Sequence, residues 1–181
     1  MKTEFKIDAL GTDLLQSIVG KRLDAFGTPK PGVDVGSAIE EVFIQVEGAA
    51  IVLSLDFESA NVCGEIGDYL RILVDEGNQK RSESESVGGV YFFFKGETVQ
   101  SVLIHTARIT RNFEGVESSF EHDASVEIAF ETGSLWISKT DLAVPILNFE
   151  AVIAGQPSPL TDPAEGWPNT VFDRWIGEWL S

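Results

Sequence analysis

The chain has 181 residues, and its formal net charge of −16, from 29 acidic and 13 basic side chains, argues against a nucleic-acid partner. Its 43% hydrophobic and 23% charged residues are the mix of an ordinary folded domain rather than of a disordered chain. The N-terminus lacks an apolar run that could serve as a signal peptide, and no stretch approaches the roughly 18 to 20 apolar residues that cross a bilayer. With Cys63 as its one cysteine, we expect a cytoplasmic protein with no intramolecular disulfide and no membrane role.

The first half of the chain predicts mostly strands. Apolar and polar side chains alternate on both sides of Gly48, which is typical of an antiparallel hairpin with one buried face. Around it we predict, in chain order, an extended piece at 5–7, a helical turn at 12–16 with Asp13 near its start, a strand at 18–26, a Gly- and Pro-rich loop at 28–37, and a strand at 69–74.

The second half repeats the hairpin 84 residues later. The matches are Val42 with Val126, Ile44 with Ile128, Ile51 with Leu135, and Leu53 with Ile137. Extended pieces are predicted at 90–95, 102–110 and 146–153, with the second hairpin turning near Gly133. The constant offset favours a duplicated unit, and the alternative is two unrelated hairpins, since alternating strands resemble one another.

These elements predict a single mainly β domain over 1–181. It consists of a first repeat at 3–78, a flexible link at 79–87, and a second repeat at 88–155. About five antiparallel strands per copy is near the size at which sheets close or stack, so we expect a sandwich or barrel-like sheet. The alternative is an α+β fold with one long curved sheet.

The last segment, 156–181, is predicted to be a Pro-rich strap followed by an amphipathic helix. Its apolar residues recur at i, i+1, i+4 and i+5, with Asn169 placed to cap the helix. They are Val171, Phe172, Trp175, Ile176, Trp179 and Leu180. We expect this helix to close the core.

Short motifs of catalysis and of metal binding are missing from the sequence. It contains no nucleophile elbow, no phosphate-binding glycine loop and no paired Cys or His at metal-ligand spacing. We therefore name no catalytic residue, metal ligand or cofactor. The triplet Glu121-His122-Asp123 is expected in a loop, where three adjacent side chains rarely converge on one ion, and Glu47 and Glu131 are expected to be solvated charges beside the hairpin turns.

Candidate binding residues lie on the outward faces of the predicted hairpins. Phe43 and Val52 point away from the core of the first hairpin, and Trp136 occupies the position equivalent to Val52 in the second. His105 is expected to be half-buried, and its counterpart 84 residues earlier is Lys21, so the two could project basic groups from equivalent places. The apolar outward residues imply a covering layer such as the C-terminal helix, a self-association surface, or a ligand.

Two functional hypotheses follow. The first is a non-catalytic binding protein whose acidic surface docks a basic protein partner, by analogy of charge and size with bacterial immunity proteins that neutralise toxins. The second is a small-molecule-binding β protein, or an enzyme, with a cavity between the repeats. A homodimer is compatible with either hypothesis.

Overall fold

The computed structural model describes residues 3–28, 41–62, 65–77, 89–91, 93–139, 147–160 and 170–180. Cys63, the link at 79–87, and most of the loop at 28–37 and of the Pro-rich strap lie outside the described residues. The elements are β1 (Thr3–Phe5), α1 (Ala9–Ser17), β2 (Leu23–Thr28), β3 (Glu41–Val46), β4 (Ala49–Val62), β5 (Glu65–Glu76), β6 (Gly89–Tyr91), β7 (Ser101–Phe113), β8 (Val116–Ala129), β9 (Gly133–Lys139), β10 (Leu147–Ile153) and β11 (Thr170–Leu180).

The strands form two sheets. The first has the order β5-β4-β3-β2-β6, and the second has the order β10-β9-β8-β7-β11, with β1 added beside β8. The pairings in both orders are antiparallel, whereas β1 runs parallel to β8. The mainly β prediction is confirmed, and division into two sheets distinguishes this fold from the single curved sheet of the alternative.

The two halves share a strand order and a hairpin register. In each sheet four consecutive strands form a meander, β2 to β5 in the first sheet and β7 to β10 in the second. A fifth strand, β6 or β11, pairs with the other edge of the first strand of that meander. In the first hairpin Val42 lies opposite Leu53, and in the second the residues 84 positions later, Val126 and Ile137, lie opposite one another. The predicted matches therefore occupy equivalent positions in the two hairpins.

The offset of 84 is not maintained in the strands before the hairpins. Ile44 lies opposite Phe26 on β2, whereas Ile128 lies opposite Val102 on β7. The residue 84 positions before Val102 is Ile18, which lies at the end of α1. Duplication of the whole unit is not confirmed and remains a prediction.

One hydrophobic core joins the two sheets and the helix. Its fully buried residues include Leu15 from α1, Leu23, Phe26, Val42 and Ile44 from the first sheet, and Val102, Ile104, Val126 and Ile128 from the second. Because alternate side chains on each strand face this core, the opposite faces remain available for other contacts.

Helix α1 is longer than the single turn expected from the sequence. Asp8, not Asp13, caps it, because the Asp8 Oδ1 atom accepts a hydrogen bond from the Gly11 N–H at 2.8 Å. Gly11 lets the helix approach β5 closely, since a Cβ there would lie 2.7 Å from Ile7 and 3.2 Å from Val74. The strand prediction at 18–26 is wrong over its first five residues, because the chain leaves α1 through a turn and β2 begins at Leu23.

The prediction of a C-terminal helix is wrong, because residues 170–180 form β11. This strand pairs with β7 from Thr170 opposite Arg111 to Leu180 opposite Val102, with a register shift between Phe172 and Arg174. Hydrogen bonding to the edge of β7 decides its conformation, whereas the apolar spacing alone is compatible with either structure. No helix in the described ranges is long and apolar enough to span a membrane.

Candidate functional site

A cleft of about 550 Å³ opens on the outward face of the second sheet. Strands β7, β8, β9 and β10 supply its floor, and the segment after β10 supplies one wall. The lining residues are His105, Glu127, Ala129, Phe130, Glu131, Gly133, Ser134, Trp136, Val152, Ile153, Ala154, Gly155, Gln156, Ser158 and Leu160. All of them belong to the second half of the chain, so this cleft differs from the predicted cavity between the two repeats.

The floor of the cleft contains a stack of two rings. The His105 and Trp136 rings lie 4.6 Å apart at 21°, and both residues are largely buried. His105 Nε2 lies 3.0 Å from Glu127 Oε2, and the Trp136 Nε1–H donates to Ser134 Oγ at 2.8 Å. These bonds fix the orientation of each ring, so the floor is preorganised before any ligand arrives.

Strand register explains why these side chains meet. Glu127 on β8 lies directly opposite Trp136 on β9 and Leu103 on β7, so the three residues form one row across the outward face. His105 is two residues along β7 from Leu103 and projects from the same face. The stack therefore forms over β8, beside the Glu127 carboxylate.

At the rim of the cleft, Gly133 allows β9 and β10 to approach one another closely. A Cβ at this position would lie 2.2 Å from the Val152 carbonyl oxygen, so the close approach of β9 and β10 requires a residue without a side chain. Beyond β10 the chain turns back, since the Ile153 N–H donates to Gln156 Oε1 at 3.0 Å and Gly155 has a φ of +90°. This turn places the segment from 153 to 160 along the cleft.

The cleft has an acidic character. Glu127 and Glu131 are among its lining residues, and none of those residues is a lysine or an arginine. The His105 imidazole is the one lining group that can carry a positive charge, and it lies against Glu127. Two carboxylates beside an aromatic floor favour a cationic group over an anionic one.

A second polar cluster is buried along β8, at the point where β8 stops pairing with β1 and starts pairing with β9. Asp123 lies at this junction, next to a register shift between β7 and β8. Its Oδ1 accepts from Thr106 Oγ1 at 2.6 Å, and its Oδ2 accepts from the Ile7 N–H at 2.7 Å. Burial raises the pKa of the Asp123 carboxyl despite these bonds. The Asp123 side chain thus ties the segment that follows β1 to β7 and β8.

Lys139, at the end of β9, extends this cluster to the first sheet. It is 7% exposed, and its Nζ donates to the Leu70 carbonyl oxygen at 2.7 Å. Burial lowers the pKa of Lys139 to about 7, and attraction to Asp123 opposes part of that shift. The lysine therefore connects β9 to β5 through a hydrogen bond from a buried amine.

Glu121 is held by two cations. Its Oε1 accepts from Arg108 Nε at 2.9 Å and also from Arg108 Nη2, and its Oε2 lies 3.0 Å from Lys6 Nζ. Burial by itself would raise the pKa of Glu121, but the bonds and charges of Arg108 and Lys6 lower it to about 2. The Glu121 carboxylate is accordingly charged at neutral pH and links the segment that follows β1 to β7 and β8.

His122 is buried, and neither of its ring nitrogens meets a partner at hydrogen-bond geometry among the described residues. It is 2% exposed and lies beside the Phe120 ring at 6.3 Å, and burial lowers its pKa well below the ordinary value. The predicted loop at Glu121-His122-Asp123 is therefore wrong, since all three residues are buried within β8. Within the part of the chain that the structure describes, no group of three potential ligands could hold a metal ion.

Two of the five predicted binding residues, His105 and Trp136, meet in the cleft. Phe43 and Val52 lie opposite one another in the first sheet, and Lys21 lies in the turn after α1. Lys21 and His105 therefore do not occupy equivalent places. The C-terminal helix expected to cover these outward residues is replaced by β11, which extends the second sheet instead.

Sequence reasoning missed Glu127 and the buried pair of Asp123 and Lys139. Glu127 could have been found from the hairpin register, since it is the residue opposite Trp136. The buried pair gives no comparable sequence signal, because its burial depends on the junction between β1 and β9 and on contact with β5.

No protein-family model, no curated protein and no solved structure is significantly similar to the chain.

Proposed function

We propose that this protein is a non-catalytic binding protein that docks a basic protein partner, and that the cleft beside Trp136 receives a lysine or arginine side chain of that partner. The observation that carries the proposal is the acidic cleft, in which Glu127 and Glu131 flank an aromatic floor and no lining residue is a lysine or an arginine.

Chemistry and shape both favour a cationic side chain. A guanidinium or ammonium group can interact with the carboxylates while its apolar stem packs against the indole and imidazole rings. Since Trp136 and His105 already stack on one another, the floor loses little conformational entropy when it is occupied. The net charge of −16 would also steer a basic partner toward the protein.

The first experiment tests the cleft with small probe molecules, so it needs no identified partner. Backbone and indole N–H resonances are followed by NMR while acetyl-arginine amide, acetyl-lysine amide or neutral acetyl-glutamine amide is added. We expect the two cations, and not the neutral probe, to shift the Trp136 indole N–H and the amides around Gly133. Equal shifts with the neutral probe, or none with the cations, would contradict the proposal.

Variants of the carboxylates test the same idea by charge. Glu127→Gln and Glu131→Gln should each weaken binding of the cationic probes, while Glu76→Gln, which changes an exposed residue on β5, should leave it unchanged. Loss of binding in all three variants would mean that overall charge, rather than the cleft, attracts the probe.

A partner is then sought among basic proteins, beginning with the products of the genes that neighbour the gene for this chain, where a basic toxin would be expected for an immunity protein. Binding is measured across a range of salt concentrations, and it should weaken as salt rises. A complex that forms equally well with Glu127→Gln and Glu131→Gln would place the interface elsewhere.

A small cationic molecule is the second candidate ligand, because about 550 Å³ is a volume typical of small-molecule pockets. Thermal unfolding in the presence of free arginine, spermidine or choline tests it. A raised unfolding temperature with spermidine or choline but not with free arginine, abolished by Glu127→Gln, would favour this ligand class over the arginine side chain of a protein partner.

A further inference from the structure

Strand β11 presents an edge with no neighbour among the described strands. It ends the order β10-β9-β8-β7-β11 and pairs only with β7 within the described residues. From Arg174 to Leu180 its register with β7 is regular, so its other edge offers an extended row of backbone donors and acceptors. Such an edge can pair with another strand by backbone hydrogen bonds.

The same strand carries exposed apolar side chains. Trp179 is 65% exposed and Val171 is 62% exposed, although both belong to the sheet. Leu180, by contrast, is buried in the core. Large apolar side chains exposed along an open edge are typical of a surface that binds another chain.

We propose that the occupant of this edge is a second copy of the chain, with two β11 strands pairing antiparallel about a twofold axis at Ile176. In that register Arg174 lies opposite Glu178 of the other copy, and the symmetry repeats this pair. Both side chains are exposed and lie two residues on either side of Ile176 on the same face of the strand. Charge complementarity therefore selects a second copy of this strand as the occupant.

The opposite face of the strand is also self-complementary. Trp175 would lie opposite Gly177 of the other copy, where the Leu103 side chain borders the glycine, since a Cβ there would lie 3.2 Å from Leu103 Cδ1, so the indole ring would meet an apolar neighbour. Trp179 would lie diagonal to Trp175 of the other copy, within reach of an aromatic contact. The register thus gives the exposed Trp179 side chain an apolar neighbour.

Pairing of this kind joins the second sheets of two copies edge to edge. Because an antiparallel twofold axis is perpendicular to the sheet, the two clefts would open on the same side. A partner with two basic segments could then bind both clefts at once. The dimer itself does not depend on what the clefts bind, so it can be tested separately from the proposed function.

The experiment is sedimentation equilibrium of the full chain and of charge-exchange variants, over micromolar to hundred-micromolar concentrations. Salt of about 0.15 M screens the repulsion between two acidic proteins beyond about 8 Å and leaves the interface pairs to act. We expect the wild type to be in equilibrium between a 19.7 kDa monomer and a dimer of twice that mass. Arg174→Glu and Glu178→Arg should each weaken the dimer about tenfold, because each creates two like-charge pairs.

The double variant Arg174→Glu/Glu178→Arg restores opposite charges and should recover the wild-type dimer. Asp13→Lys, a charge reversal on the exposed face of α1, should have no effect on association. Circular dichroism shows whether each variant is folded. A wild type that remains monomeric throughout would overturn the proposal, and so would a folded double variant that stays monomeric while the wild type dimerises.

Discussion

Lys139→Met should remove a pH dependence from the stability of this protein. Burial lowers the pKa of Lys139 to about 7 in the folded chain, against an ordinary value of 10.5. Between these two values the unfolded chain binds more protons than the folded chain. The free energy of unfolding must therefore rise with pH across this window, as the buried amine loses its charge.

The size of the effect follows from the two pKa values. Between pH 7 and pH 9, linkage gives an increase of about 2 kcal/mol in the free energy of unfolding from this one group. Little of it should be lost to solvent screening, since Lys139 is 7% exposed. Methionine fills a similar length without a titratable amine, so the variant lacks this contribution.

The assay is urea denaturation followed by tryptophan fluorescence at pH 7 and pH 9. Other groups titrate in the same window, so the quantity compared is the difference between wild type and variant at each pH. Lys95→Met, at an exposed lysine after β6, is the matched control. Its free energy of unfolding should differ from that of the wild type by the same amount at pH 7 and at pH 9. The double variant Asp123→Asn/Lys139→Met checks that Asp123 does not cause the dependence of the free energy of unfolding on pH.

A difference between wild type and Lys139→Met that stays constant from pH 7 to pH 9 would refute this reasoning. The same conclusion would follow if Lys95→Met removed the slope as effectively as Lys139→Met. In either case the lysine amine would not be held in a buried, desolvated position.

Three further predictions concern the rim of the cleft and the buried cluster. Gly133→Ala should lower the free energy of unfolding by about 1 to 3 kcal/mol, because its Cβ would meet the Val152 carbonyl oxygen; an unchanged urea midpoint would contradict this. Glu121→Gln should remove about 3 kcal/mol of stability, because the pKa of Glu121 is lowered to about 2 in the folded chain. The wild type has this stability above pH 4.5 and loses it as the pH falls toward 2. Acid unfolding of both proteins, followed by circular dichroism, measures the difference. His122→Leu should abolish the part of the stability loss that begins as the pH falls through 6.5. Burial keeps the pKa of His122 low in the folded chain, so only the unfolded chain takes up that proton. Equal losses of stability in wild type and variant between pH 7 and pH 5 would exclude this role of His122.

The hairpins were the most predictable part of the fold. Alternating apolar residues identify the buried face of a strand, and the turns near Gly48 and Gly133 fix the register, so Val42 lies opposite Leu53 and Val126 lies opposite Ile137. These are local properties of the chain. The equivalence of the two hairpins could therefore be predicted without knowing how the sheets pack.

The candidate site was predictable in part for the same reason. The alternation of side chains along the strand places Trp136 on the outward face of its hairpin, whereas His105 was expected to be half-buried; both line the cleft, and His105 is 8% exposed. Their stacking across β8 depends on the pairing of three strands, and the cleft wall depends on the turn after β10. Neither feature can be inferred from the spacing of residues in one strand.

The sequence by itself determined the mainly β character, the parity of the hairpin side chains and the acidic charge, because each depends on residue type and short-range spacing. The tertiary structure alone decided that residues 170–180 form a strand, since their apolar spacing fits a helix equally well and the edge of β7 supplies hydrogen bonds only to a strand. It also decided that Asp123, His122 and Lys139 are buried. Their burial arises where β1, β8, β9 and β5 meet, and contacts between segments so distant in the chain are not encoded in any local pattern.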